Sequence, residues 1–467
     1  MSDQSLYLEE RVAIFPRSVK GTFRYIKTSI LLFAYGVYFS LPWLPWERGQ
    51  GPDQTVLFDI INRRFYIFDL TVYAQDIFWL AGFLIIGAFL LFFITGILGR
   101  VFCGYFCFQT LWTDVFVFIE RLVQGERNKR IKLANQAWNS HKLLLIGTTW
   151  LLWTVVSFWT GLSFTLYWGE ANLLVYDFFS GQAPFPAYAT TLFITLTTLV
   201  MAGLAREQVC TYMCPYARFQ SAMFDKDTVV VAYDSIRGER DKGRLKPEKK
   251  NIKAKYRIDE NIGDCIDCGY CVQVCPVGID IREGLQYECI SCALCVDACN
   301  TVMEAAKFPR GLIRYTSVSA TEGKKVNLWL KPRNLGYAVL ILIAGISLFY
   351  NILHTQNIEM HVKQNRQPLY ILLSDGYVQN RYDIKIFNKY KTSKRFELEV
   401  TGLANSRFEV RPEKRFSLES GSSIVINARV ASAVNATSTG NQELTFILTE
   451  LDSNEKLAVS TQYFQPK

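Results

Sequence analysis

The chain has 467 residues, half of them hydrophobic and a fifth charged, with a net charge of +9. That composition excludes a disordered or acidic tail protein, and the excess of basic residues in so apolar a chain first signals biased loops, so no nucleic-acid partner is expected. All twelve cysteines lie between Cys103 and Cys299, which excludes a disulfide-stapled secreted domain and marks a clustered set of ligands or redox groups.

Residues 1–27 form a basic segment with Arg11, Arg17, Lys20, Arg24 and Lys27, and no signal peptide is read there. The first apolar run, Thr28–Trp46, is long enough to span a bilayer, which takes about 20 helical residues. The second, Phe78–Leu98, is uncharged throughout. It ends in GRVFCGYFCFQ (99–109), with Cys103 and Cys107 four apart. A basic loop with Arg121, Arg127, Lys129, Arg130 and Lys132 follows. Spans three and four are expected over Leu143–Phe164 and Ala187–Ala205, separated by a loop without Lys or Arg. Span four ends in AREQVCTYMCPYARFQ (205–220), which holds Cys210 and Cys214. Residues 206–257 are a basic linker, and 237–257 could also touch anionic headgroups. Span five is Leu335–Leu353. By the positive-inside rule, the N-terminus and 206–334 are expected in the cytoplasm, and 354–467 on the far side.

Residues 265–299 carry the most specific pattern. Cys265, Cys268, Cys271 and Cys275, followed by Pro276, form C-x2-C-x2-C-x3-C, and Cys289, Cys292, Cys295 and Cys299 repeat it. In a two-cluster ferredoxin run, three thiolates come from one tight loop and the fourth from the other run. One [4Fe–4S] cluster is therefore expected on Cys265, Cys268, Cys271 and Cys299, and the other on Cys275, Cys289, Cys292 and Cys295. Zinc ribbons use C-x2-C pairs with longer spacers, which fits less well. Gly269 and Gly278 suit the tight turns of such loops. Asn300 stands where the second run often has Pro.

Segment 354–467 alternates apolar and polar residues over 382–388, 396–400, 423–430, 443–450 and 457–464, the pattern of a small antiparallel sandwich of the immunoglobulin type. The fold class expected is a multi-domain membrane protein: a five-helix transmembrane α part, a cytoplasmic two-cluster ferredoxin-like domain (258–334 with its following linker), and a C-terminal all-β immunoglobulin-like sandwich.

The membrane cysteines repeat as C-x-Y-x-C after a helix and an Arg (Arg100, Arg206). One such pair could be two small apolar residues in a helix interface. Two matching pairs at equal depth read instead as a four-thiol site. If helical, each pair shares one face. Soft thiolates select Cu(I), zinc or iron–sulfur clusters, and a dithiol can also cycle to a disulfide. His354, Met360 and His361 (HTQNIEMH) could bind copper, although a His/Met segment is more often inert; His141 reads as structural. No G-x-G-x-x-G dinucleotide motif and no C-x-x-C-H haem motif occurs. An external electron donor is therefore expected.

The two C-x3-C pairs, FDIINRRFYIFDL (58–70), YDSIRGERD (233–241), the ferredoxin run and the C-terminal sandwich together resemble the CcoG/FixG/RdxA family of bacterial inner-membrane proteins. That resemblance implies a cupric reductase supplying Cu(I) for assembly of the cbb-type haem–copper oxidase, with copper at Cys103, Cys107, Cys210 and Cys214. It implies as partners the oxidase assembly machinery or copper-handling proteins, membrane lipid, and a second copy of the chain as a further candidate. The family pattern is C-x3-C-P in both pairs; here the second keeps Pro215, but the first has Phe108, which puts the helix start there in question. The rival expectations are a general electron conduit to a quinone or partner oxidoreductase, and a non-enzymatic assembly scaffold.

Overall fold

The computed structural model describes residues 14–466 apart from 49–50, 74–75, 247–256, 258, 325–330, 355, 391, 404 and 434–440. Arg11 and much of the basic stretch 237–257 lie outside the described residues. The chain divides into two compact units, Met1–Trp46 with Gln54–Ile346, and Glu47–Asp53 with Ser347–Lys467.

In the first unit, helix α1 is Thr22–Ser40 and α2 is Ile77–Leu98. Between them, β1 (Val56–Asp59), β2 (Arg64–Ile67) and β3 (Leu70–Tyr73) form an antiparallel meander. The short α3 (Val101–Tyr105) and α4 (Phe108–Gln124) follow, then α5 (Arg127–Asn135), α6 (Ser140–Leu166), α7 (Ala171–Ser180) and α8 (Phe185–Thr198). α8 runs into a π-helical segment, Leu199–Ala205, and a second one covers Val209–Met213 before α9 (Pro215–Ala222). Such i→i+5 turns are uncommon and often mark functional sites.

Among the described residues, five helical stretches are long and apolar enough to cross a membrane: Ile77–Leu98, Val101–Gln124, Ser140–Leu166, Phe185–Ala205 and Pro332–Leu353. The number matches the expectation, but the set differs. The first expected span falls on α1, which begins earlier and takes Arg24 and Lys27 into its opening turns. α1 nevertheless presents Leu32, Phe33 and Val37 outward. The stretch Val101–Gln124, which the sequence places partly in a loop, is half buried within the protein. There α4 tolerates Asp114 and Glu120 because it packs on α6 and α1: Trp112 donates to the Thr160 hydroxyl at 2.9 Å, and Asp114 accepts from Arg24 at 2.8 Å. α2 instead turns almost all its side chains outward, as a lipid-facing helix would.

The ferredoxin-like part pairs β4 (Val230–Tyr233) with β5 (Ile313–Thr316), antiparallel, and carries α10 (Ser235–Glu239), α11 (Tyr270–Val274) and α12 (Leu294–Ala305). Its two cysteine loops share a backbone pattern. Asp267 and Ser291, each just before a cysteine, have φ of 49° and 54°, and Gly269 and Ala293, each just after, have 65° and 57°. Left-handed backbone at these positions lets each loop curl tightly, at a cost Gly avoids and Ala293 does not. Gly278 likewise has a φ of 78°. Asn300 lies inside α12, where a proline would break the helix, and accepts from the Gly311 amide at 3.0 Å. The last helix of the chain, α13, is Pro332–Leu353.

In the second unit, two antiparallel sheets face each other. One has the order β10–β12–β8–β6, with β7 (Ile371–Leu372) also on β8; the other is β11–β9–β13–β14. The strands are β6 Ile358–Gln364, β8 Tyr377–Asn388, β9 Lys394–Thr401, β10 Arg407–Arg411, β11 Arg415–Leu418, β12 Ser423–Ala433, β13 Gln442–Glu450 and β14 Lys456–Tyr463. Alternate residues point inward, so Tyr382, Ile384, Phe396, Ile426, Leu444 and Phe446 are completely buried. Each fully buried side chain of this type contributes roughly 1.5–3 kcal/mol. All five alternating runs are strands of this immunoglobulin-like sandwich. The same alternation dismantles the HTQNIEMH cluster: on β6, Met360 enters the core, while His361 stays 70% exposed beside Glu359. His354 stacks on Tyr350 at 4.0 Å.

Candidate electron-transfer site

Two hollows in the ferredoxin-like part are lined by the eight cysteines. Cys265, Cys268, Cys271 and Cys299 line one, with Tyr233, Leu312 and Ile313 around them. Cys275, Cys289, Cys292 and Cys295 line the other, and Cys271 reaches its edge. Each hollow thus has the donor set and the apolar wall that a cubane cluster needs, and the donors group as the two-run exchange requires. Cys268 is exposed and the other seven are at least partly covered.

The first membrane pair touches the second of these hollows. The apolar cluster that holds Ile290, Cys292 and Leu294 also contains Cys103. Gly104 is required for the approach, because a Cβ there would stand 2.7 Å from the Ile290 carbonyl and 2.9 Å from Cys292 Cα. The buried Tyr105 hydroxyl donates to the Cys292 carbonyl at 3.1 Å. Its counterpart Tyr212 is exposed. The same surface is tied to α1. Asp297, between Cys295 and Cys299, accepts from the Phe23 and Arg24 amides at 3.3 and 2.8 Å, satisfying free N–H groups at the α1 N-terminus.

The two pairs share one backbone design. Cys103 and Cys210 sit in short helical segments, whereas Cys107 and Cys214 are extended and precede the next helix. The expectation of i, i+4 cysteines on one helical face is corrected accordingly: each pair straddles a break. Phe108 starts α4 at the position Pro215 takes in α9, and its ring stacks on Trp112 at 4.0 Å, so helix initiation survives the missing proline.

The repeats also meet. The Cys103 thiol donates to Gln220 Oε1 at 3.0 Å. The fully buried Gln220 in turn donates to Tyr216 and Thr95. Gln109 donates to the Met201 and Arg206 carbonyls at 2.7 and 3.1 Å. Burial pushes the Cys210 thiol up to about 12, and Cys107, Cys103 and Cys214 add to the push, so these four sulfurs share one electrostatic neighbourhood. A metal bound there must displace the Cys210 proton. Among the described residues, no three His, Cys, Asp or Glu side chains stand close enough to share one ion. A cavity beside Cys210 is walled by Pro276 and Val277 of the ferredoxin run and by Arg24, Lys27 and Glu207.

The contacts through Gly104, Tyr105, Gln220 and Asp297 are invisible to sequence spacing. The glycine between Cys103 and Tyr105 was the one available signal, since a glycine beside a ligand often marks close backbone approach.

Three families match the chain. A 4Fe-4S dicluster domain covers residues 205–318, a 4Fe-4S binding domain covers 80–124, and the IG-like fold at the C-terminal of FixG covers 348–466. The chain is 40% identical over 410 residues to Protein RdxB of Cereibacter sphaeroides, covering 86% of this chain and 84% of that one. It is 38% identical to Protein RdxA of the same organism over 85% of this chain and 84% of the relative. The nitrogen fixation protein FixG of Rhizobium meliloti is 37% identical, with 86% and 82% covered. The crystal structure of a FixG-related protein from Vibrio parahaemolyticus aligns with 24% of this chain and 98% of its own, at 19% identity and a TM-score of 0.22. Similarity of that extent to three relatives, with iron–sulfur domains and apolar helices in one chain, places it plainly: this protein belongs to the FixG/RdxA family of membrane iron–sulfur proteins, with two iron–sulfur clusters and a C-terminal Ig-like fold.

Proposed function

We propose that the chain is a cupric reductase, passing single electrons to Cu(II) at Cys103, Cys107, Cys210 and Cys214. The observation that carries this reading is the backbone contact of Gly104 and Tyr105 with the Ile290–Cys292 loop, which puts the first thiol pair against the second cluster site. The clusters supply one-electron storage. The protein's own residues do the rest: Cys268 leaves the first site open to a donor, and the Ile290–Leu294 packing excludes water between the second site and Cys103.

Each turnover consumes one electron and converts one Cu(II) to Cu(I). Thiolates favour the Cu(I) product. Copper takes two or more of the four sulfurs as ligands. Five Lys and Arg against two acids line the cavity beside Cys210, so copper entering there arrives in a neutral or anionic complex, not as the free cation. The positive-inside argument supports a bacterial inner-membrane location with the N-terminus cytoplasmic and the sandwich periplasmic. In this reading Cu(I) passes to copper-handling proteins of cbb-type oxidase assembly. Iron and copper per chain, measured with and without Cys→Ala at both pairs, test the site. Copper that stays with the chain after loss of all four thiols would refute it.

A further inference from the structure

Arg100 and Arg206 each precede the first cysteine of a membrane repeat, by three and four residues, yet their surroundings have diverged. Arg206 forms an ion pair with Glu120 and lies over the Trp153 ring. Arg130 pairs with Glu120 as well, at 2.9 Å, and Arg282, beside Cys271, pairs with Asp280 and Asp267. Arg100 is only 1% exposed, and among the described residues it makes no ion pair. Its guanidinium donates to the carbonyl of Tyr287, two residues before Cys289, and Nε has no partner. The same guanidinium is among the charges that act on Cys103, Cys210 and Cys289.

A buried cation without a carboxylate is costly unless something negative answers it. Thiolates are the negative groups within its reach. Adding an electron to a thiolate-bound cluster adds one negative charge, and a fixed cation in a low-dielectric setting favours that reduced state.

We infer that Arg100 sets the direction of electron flow, by holding the reduction potential of the cluster on Cys275, Cys289, Cys292 and Cys295 above the value it would have without the guanidinium. One electron leaves the first cluster and one arrives at the second, beside the membrane thiols. The inference rests on that ligand set but not on copper as acceptor. Arg100 is a positioning residue for the electron and touches no substrate.

The test is a dithionite titration of the purified full-length protein with its clusters, followed by electron paramagnetic resonance, on wild type, Arg100→Gln, Arg100→Lys and Arg206→Gln. Cys289→Ala, run in parallel, must lose the iron of one cluster; if it does not, the ligand set fails independently of Arg100. In Arg100→Gln one midpoint falls, enough to shift the electron's distribution between the clusters at least tenfold, which is about 59 mV for a one-electron step. The other midpoint stays, Arg100→Lys holds near wild type, and Arg206→Gln leaves both in place. Unchanged midpoints in Arg100→Gln, both midpoints moving together, or an equal fall in Arg100→Lys would overturn the inference. Loss of iron from Arg100→Gln but not from Arg100→Lys would also overturn it, making Arg100 a structural counter-charge.

Discussion

Gly104 is where a single hydrogen atom decides whether two redox sites touch. Gly104→Val must push α3 off the Ile290–Cys292 backbone, an overpacking cost of roughly 1–3 kcal/mol. We expect iron per chain to stay at the wild-type level while electron delivery to Cys103 slows, measured as the rate at which Cu(II) reoxidises protein pre-reduced and freed of dithionite. A variant that keeps the wild-type rate would show that the contact is not the route. Tyr105→Phe removes the bond to the Cys292 carbonyl, worth about 1 kcal/mol, and should be much milder. At the same scale, Glu450 in the sandwich titrates far below other glutamates. Burial works to raise its pKa, but the Ser453 hydroxyl and amide and the Lys394 ammonium outweigh that and bring it down to about 2. A carboxyl depressed in the folded state stabilises above its unfolded pKa, near 4.5, and loses that contribution as pH falls through the folded value. Amide protection in β13 and β14, the exchange rate relative to the intrinsic rate at the same pH, should therefore fall between pH 4.5 and 2 in wild type. In Glu450→Gln it should already be low at neutral pH, with little further acid response.

Among elements, the paired segments α3–α4 and Val209–Met213–α9 show how much helix initiation depends on position. Phe108 and Pro215 both stand at the first helical residue, where no amide partner is needed, so a proline in either place is compatible. Phe108→Pro should fold with both thiol pairs in place and lose the stack on Trp112, about 0.5–1.5 kcal/mol, read as a small fall in thermal stability of the detergent-solubilised protein. Loss of the fold would contradict the positional argument. The elements also mark what could be read in the chain. The cluster loops were legible because each is a run of eleven consecutive residues with fixed gaps, and the sandwich because alternation is local. α4 was not, because its apolar face is interrupted by Asp114 and Glu120, whose charges are answered by partners from α1, α5 and the segment after α8. The joins between Asp297 and α1, and between Tyr105 and Cys292, link residues far apart in the chain, and no periodicity encodes them.

At the scale of the whole molecule, the first unit gathers into one body the two cluster sites, the N-terminal segment and both thiol pairs. The exposed Cys268 and the enclosed Cys103 stand at its opposite functional ends. The central claim is that electrons leave through the four membrane thiols to copper. Cu(II) reduction by purified protein carrying Cys→Ala at Cys103, Cys107, Cys210 and Cys214, with iron quantified in the same sample, tests it most directly. The account predicts unchanged iron per chain and a rate lower by roughly tenfold or more, about 1.4 kcal/mol of barrier per factor of ten. An undiminished rate with intact clusters would contradict it.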